Sequence, residues 1–108
     1  MTRVALLCPD LLFGSNVEGA LRAAGHDVTR YDKPDDARAA DAQVLVVDLT
    51  ADQFDGAELG DVARMKTIGF YSHVDVETKK RADAAGFDLV VPRSRMNREG
   101  AALVEKIA

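Results

Sequence analysis

Two carboxylates stand where chemistry could be done: Asp10 and Asp48, each following an apolar run of strand length. Asp10 comes just after Val4 to Cys8 and Pro9, and Asp48 closes the run Val44 to Val47. A carboxylate carried to the end of a buried strand sits at the edge of its sheet. There it can ligate a divalent cation, accept a transferred group, pair with an arginine, or simply shape a turn. Cys8 is the only cysteine, so it forms no intrachain disulfide and no multi-cysteine metal site; as the last residue of an apolar strand it reads as a small buried hydrophobe. Ser72, His73 and Asp75 contain the residue types of a hydrolytic triad, but such triads are built by spatial convergence and not by adjacency in sequence. The spacing of Ser72 and Asp75 suits helix capping, and His26, beside Gly25, is expected to face solvent in a turn. The most unusual composition lies in the run Pro92 to Arg98. It puts Arg93, Arg95 and Arg98 ahead of a helix N-terminus in an otherwise acidic protein. Arg93, Ser94, Arg95 and Arg98, with His73, are the candidate set for an anion or an acidic partner.

The elements that must position these residues alternate along the chain. Val4 to Cys8 reads as a strand, followed by helical spacing at Val17, Ala20, Leu21 and Ala24. Ser15 and Glu18 have capping-box spacing, and Gly25 stands where a left-handed C-cap wants glycine. Val28 to Tyr31 is a second strand, with a short helix over Asp36 to Ala40. Val44 to Val47 has the look of a central strand buried on both faces. Beyond it, a loop containing Asp52, Asp55, Gly56 and Gly60 predicts a weak helix that runs to about Met65. Thr67 to Tyr71 is a fourth strand, Asp75 to Ala85 a helix stopped by Gly86, and Leu89 to Val91 a fifth strand. A last helix is expected over Asn97 to Ile107, with Asn97 as its N-cap and Leu103, Val104 and Ile107 facing inward.

Strands alternating with helices imply parallel pairing through right-handed crossovers, with helices on both faces of a doubly wound α/β sheet. Strand order 2-1-3-4-5 is the flavodoxin-like arrangement. The competing dinucleotide-binding half would need a glycine-rich phosphate loop after the first strand, and the segment Pro9 to Gly14 has one glycine where three are required.

The 108 residues are 47% apolar and 30% charged, which suits one soluble domain over the whole length and not a disordered chain. A net charge of −4 and a pI near 5.0 argue against non-specific nucleic-acid binding. The single cysteine fits a reducing, cytoplasmic setting, and no segment has the length to span a bilayer.

This layout resembles the receiver domain of two-component response regulators, a bacterial signalling family, over essentially the whole chain. The resemblance implies that Asp48, in Val-Val-Asp-Leu, matches the phosphoacceptor and that Asp10 and Asp48 are the candidate Mg²⁺ ligands. It also implies that Ser72, with Tyr71 beside it, matches the switch position after the fourth strand. Two departures count against a working site. Cys8 and Pro9 occupy the region where two adjacent acids are expected, and Val91 stands before Pro92 where the family has lysine. Arg93, one position beyond, has a planar five-donor head that does not simply replace lysine. The reading is therefore an atypical or pseudo-receiver that acts through a protein partner, a homodimer being one form of that. It is not expected to be an enzyme, and any hold on Mg²⁺ would be weak. The alternatives are a phosphorylatable receiver using Asp48 and Mg²⁺, and a nucleotide- or anion-binding regulatory domain built on the arginine segment. Leu11, Leu12 and Phe13 form a second oddity: three large apolar residues that either cover the core or make a contact patch.

Overall fold

The computed structural model describes residues 1–108 except Ala63 and His73, so the part expected of His73 lies outside the described residues. Five strands form one parallel sheet in the order β2-β1-β3-β4-β5: β1 Arg3–Leu7, β2 Asp27–Tyr31, β3 Val44–Asp48, β4 Lys66–Tyr71 and β5 Leu89–Pro92. Between and after them come α1 Leu11–Ala23, α2 Pro34–Arg38, a 3₁₀ turn Gly56–Leu59, α3 Val76–Ala84 and α4 Arg93–Ile107. The doubly wound order expected from the sequence is the one found.

Alternation along the strands sorts the core into two layers. Val4, Leu6 and Cys8 of the first strand and its end, Val44 and Val46 of β3, and Ile68 and Phe70 of β4 meet Val17 and Leu21 of α1 and Met96, Leu103 and Val104 of α4. Ala5 and Leu7, with Leu45 and Val47, meet Ala37 of α2 and Leu59 of the 3₁₀ turn on the opposite face. Every residue of β3 is buried, as its unbroken apolar run requires of a strand covered on both sides. Gly25 and Gly86, at φ 92° and 99°, end α1 and α3 in the left-handed conformation that side chains with a Cβ resist. Among the described residues no helix is long and apolar enough to cross a membrane.

Several local expectations are corrected. α1 starts at Leu11, because Asp10 and not Ser15 is its N-cap: the Asp10 carboxylate accepts the Phe13 N–H at 3.0 Å. The Leu11, Leu12, Phe13 segment is therefore the first helical turn, with Phe13 packed inward and both leucines exposed. α4 starts at Arg93 and not at Asn97, following Pro92 in an extended conformation. This earlier start puts Met96, Gly100, Leu103 and Val104 on one buried stripe. α3 is capped by Asp75, whose carboxylate accepts the Thr78 N–H at 3.1 Å, whereas Ser72 contributes its carbonyl to the Asp75 N–H at 2.8 Å. Among the described residues, the weak helix expected to run to about Met65 is reduced to the 3₁₀ turn. Its segment is rich in turn formers, and Asp55 caps it at once through the Ala57 N–H. His26 does not face solvent. It is buried, its Nδ1 accepts the Thr2 N–H at 3.2 Å, and its Nε2, with no hydrogen-bond partner among the described residues, lies 3.3 Å from Glu105 of α4.

Two glycines test this packing in opposite directions. A Cβ on Gly60 would lie 2.6 Å from the Ala85 carbonyl oxygen, so Gly60→Ala forces two backbone segments apart and should cost about 1–3 kcal/mol. Gly19 lies within α1 with no atom within 4 Å of a new Cβ, so Gly19→Ala should add about 1 kcal/mol through helix propensity. Urea unfolding midpoints check both signs.

Candidate functional site

The first and third strands deliver Asp10 and Asp48 to the same end of the sheet, as expected of carboxyl ends flanking a point where strand order reverses. Together with Pro9, Thr50 and Asp52 they line a crevice of about 230 Å³. Asp48 is 3% exposed, and a carboxylate so deeply placed must be met by donors. Both of its oxygens are met from within the chain. Oδ1 accepts the Thr50 N–H at 2.8 Å and the Thr50 hydroxyl, closing an Asx turn. Oδ2 faces the Cys8 thiol at 3.6 Å, with the Asp10 carbonyl 3.8 Å from the same sulfur.

Cys8 is buried as its sequence position suggested, and its thiol is held neutral: burial first, then the negative charge of Asp48, push its pKa from 9.0 to about 12. The group that stands beside Asp48 is thus a weak donor that stays protonated at neutral pH. It supplies neither a second carboxylate nor a thiolate.

Asp10 has partners within the chain as well, while its side chain stays 45% exposed. Oδ1 caps α1, and Oδ2 lies 3.4 Å from the Arg93 guanidinium. Arg93 also lies over the Phe13 ring at 4.3 Å, and Phe13 in turn packs on Phe70 with ring centroids 5.1 Å apart. The partner found for Arg93 is therefore Asp10 and not Asp48. Arg95 and Arg98 both approach Glu99, at 3.5 and 3.4 Å, so each arginine of the segment has an acid nearby, and Ser94 is exposed between them. Tyr71 is buried at the end of β4. Ser72 lines a neighbouring, larger groove that shares Thr50 and Asp52 with the crevice.

Two residues complete the site without having drawn attention in the sequence. Thr50 stands two positions after Asp48, which is Asx-turn spacing and was open to reading. Arg30 belongs to β2 and reaches across to donate to the carbonyls of Cys8 at 2.7 Å and Asp10 at 3.3 Å, with Ser15 Oγ at 3.4 Å. It lies against Gly14, where a Cβ would be 2.3 Å from the guanidinium. Nothing local in Asp-Val-Thr-Arg-Tyr signals that reach. Arg30 braces the loop from β1 to α1 with a fixed positive charge.

A divalent cation fits this donor set poorly. Mg²⁺ asks for hard oxygen ligands in octahedral geometry, whereas Cys8 and Pro9 offer none from their side chains and the carboxylates of Asp10 and Asp48 already accept internal donors. Among the described residues no three His, Cys, Asp or Glu side chains are grouped so as to hold a metal ion.

The raised thiol pKa gives a signed prediction. Above pH 9 the unfolded chain loses the Cys8 proton while the folded chain keeps it, so stability declines as pH rises from about 9 towards about 12. Urea unfolding at pH 8 and pH 10.5 should show a larger loss for the native protein than for Cys8→Ala; equal losses would contradict the assignment.

No protein-family model matches the chain, and none of the curated proteins matches it. Solved structures do. A CheY-like response regulator receiver domain protein from Methanospirillum hungatei JF-1 superposes with a TM-score of 0.82 at 16% identity, over 98% of this chain and 92% of that one. The receiver domain of a Francisella response regulator gives 0.82 at 17% identity, over 98% and 95%. The receiver domain of a sensor histidine kinase from Pseudomonas aeruginosa PAO1, solved with a magnesium ion coordinated in its active-site cleft, gives 0.83 at 14% identity, over 98% and 96%. The chain has the fold of response-regulator receiver domains.

Proposed function

We propose that this chain is a pseudo-receiver: a signalling domain that works by contact with a protein partner and not by phosphoryl transfer. The observation that carries this reading is the state of Asp48, 3% exposed and with both carboxylate oxygens facing donors from Thr50 and Cys8. An acceptor aspartate needs a free oxygen for in-line attack and a cation to offset the phosphoryl charge. Here the Cys8–Pro9 pair supplies no acid, and Arg93 at the start of α4 is held by Asp10 and Phe13.

The surface that would carry the signal, on this reading, is the carboxyl edge formed by the end of β4, β5 and the first turns of α4, around Arg93 and Arg95, with Tyr71 buried beneath it. Arg93 is about one-third exposed and Arg95 somewhat more, so both guanidinium groups can meet a partner while keeping their intramolecular acids. A nucleotide- or anion-binding role finds less support, because the three arginines of the segment already have carboxylates within 3.5 Å.

Intact-mass measurement after incubation with acetyl phosphate and Mg²⁺ tests the reading: the mass is expected to stay unchanged. The double substitution Cys8→Asp with Pro9→Asp restores two acids beside Asp48 and should confer Mg²⁺ binding in the millimolar range, seen as shifts of the Asp48 and Thr50 amides. A stable phosphoryl adduct on the native protein would overturn the proposal.

A further inference from the structure

The two faces of the sheet are covered unequally. On one side lie α1 and α4, of 13 and 15 residues; on the other lie α2, the 3₁₀ turn and α3, of 5, 4 and 9 residues. Only Ala82 of α3 is buried, so that helix rests on the molecule without contributing a wide apolar stripe. Because the crossover from β3 to β4 contains a 3₁₀ turn in place of an α-helix, an open groove of about 870 Å³ remains between loop 49–57 and the start of α3. Leu49 and Phe54, both half-buried, lie along its floor. Val74, on its lip, is 75% exposed, and Val76 at the start of α3 is 57% exposed. These two valines are among the few large apolar side chains left in water.

The charge lining this groove is net negative: three carboxylates, Asp52, Asp55 and Asp75, stand against one cation, Arg81, among the described residues. Asp52 and Asp75 line it and Glu77 lies beside it, and none of the three is in an ion pair among the described residues. Arg81, the cation of the lining, is already bonded to Asp55. A strand cannot add here, since β4 is paired on both sides and its edges are closed. A second copy of this chain is a poor match, because its exposed leucines, Leu11 and Leu12, are adjacent in sequence at a helix start and do not form a stripe at i, i+3, i+4 and i+7.

We infer that this groove docks an amphipathic helix of a protein partner, with an apolar stripe seated on Val74, Val76 and Phe54 and lysines or arginines facing Asp52, Asp75 and Glu77. Asp48 itself does not line the groove, which shares only Thr50, Ala51 and Asp52 with its crevice, so failure of either proposal leaves the other standing.

The test uses the ¹⁵N-labelled full chain and three synthetic helical peptides of about four turns. One carries leucines at i, i+3, i+4 and i+7 flanked by lysines; the second keeps the leucines but replaces lysine with glutamate; the third keeps the lysines but scrambles the leucine spacing. Only the first should give saturable shifts, confined to amides of residues 50–57 and 74–81. Val74→Glu combined with Val76→Glu should weaken that binding about tenfold or more. Both valines are exposed, so a thermal melt should show the variant folded. Four results would each overturn the inference: no saturable binding, equal binding of the glutamate peptide, shifts centred on Leu11 and Leu12, or binding unaffected by the valine changes. Shifts of the groove amides that follow protein concentration alone would assign it to a second copy, which also contradicts it.

Discussion

A carboxylate at the end of a strand buried on both faces has to be satisfied where it stands. β3 supplies that constraint: Val44 to Val47 fill the middle of the sheet from above and below, and the next residue, Asp48, is carried to the edge while still 3% exposed. Leaving it without donors would cost several kcal/mol, on the order of 1–3 or more for a charged group. The chain meets it with the Thr50 turn on one oxygen and the Cys8 thiol on the other. The loop after β1 is fixed by the same demand, because Cys8 must end its strand beside Asp48. That loop is then held by the Arg30 guanidinium on the carbonyls of Cys8 and Asp10, and by Asp10 as the cap of α1.

The consequence is an edge assembled from internal contacts. Arg93, at the start of α4, joins Asp10 of the first loop to Phe13 of α1, and Phe13 packs on Phe70 of β4. Ends of β1, β4 and β5 are thereby linked through side chains. In a receiver fold this is the region where metal and phosphoryl chemistry would need open oxygens. A fixed guanidinium and a neutral thiol give it shape without giving it an open ligand set.

How far the sequence could be read depended on whether a feature is set by local pattern or by partners distant along the chain. The sheet order and the central strand follow from runs such as Val44 to Val47 and from regular alternation, and these were legible. The burial of Cys8 and the nearness of Asp10 to Asp48 followed from strand ends. Helix starts were less so: Ser15 competes with the true cap Asp10, and Asn97 is a better capping residue than Pro92, which caps α4 with no side-chain bond; the choice was made by tertiary packing of Phe13 and Met96, which favours the earlier start in each case. The third crossover contains apolar positions at loose helical spacing, yet its aspartates and glycines favour turns, and only four of its described residues remain helical, as a 3₁₀ turn. His26 and Arg30 act across 24 and 22 residues of sequence, on Thr2 and Cys8, and no spacing rule reaches that far.

In the proposed pseudo-receiver, Asp48 is satisfied by the chain itself and closed to metal and phosphoryl groups. Two-dimensional NMR of the native protein, recorded before and after millimolar Mg²⁺ and then beryllofluoride, a mimic of the acyl phosphate, puts it to the most direct test. The amides of Asp10, Asp48, Thr50 and Ser72 are expected to keep their positions throughout. Saturable shifts centred on Asp48 and Thr50 would contradict it and would establish a working receiver site.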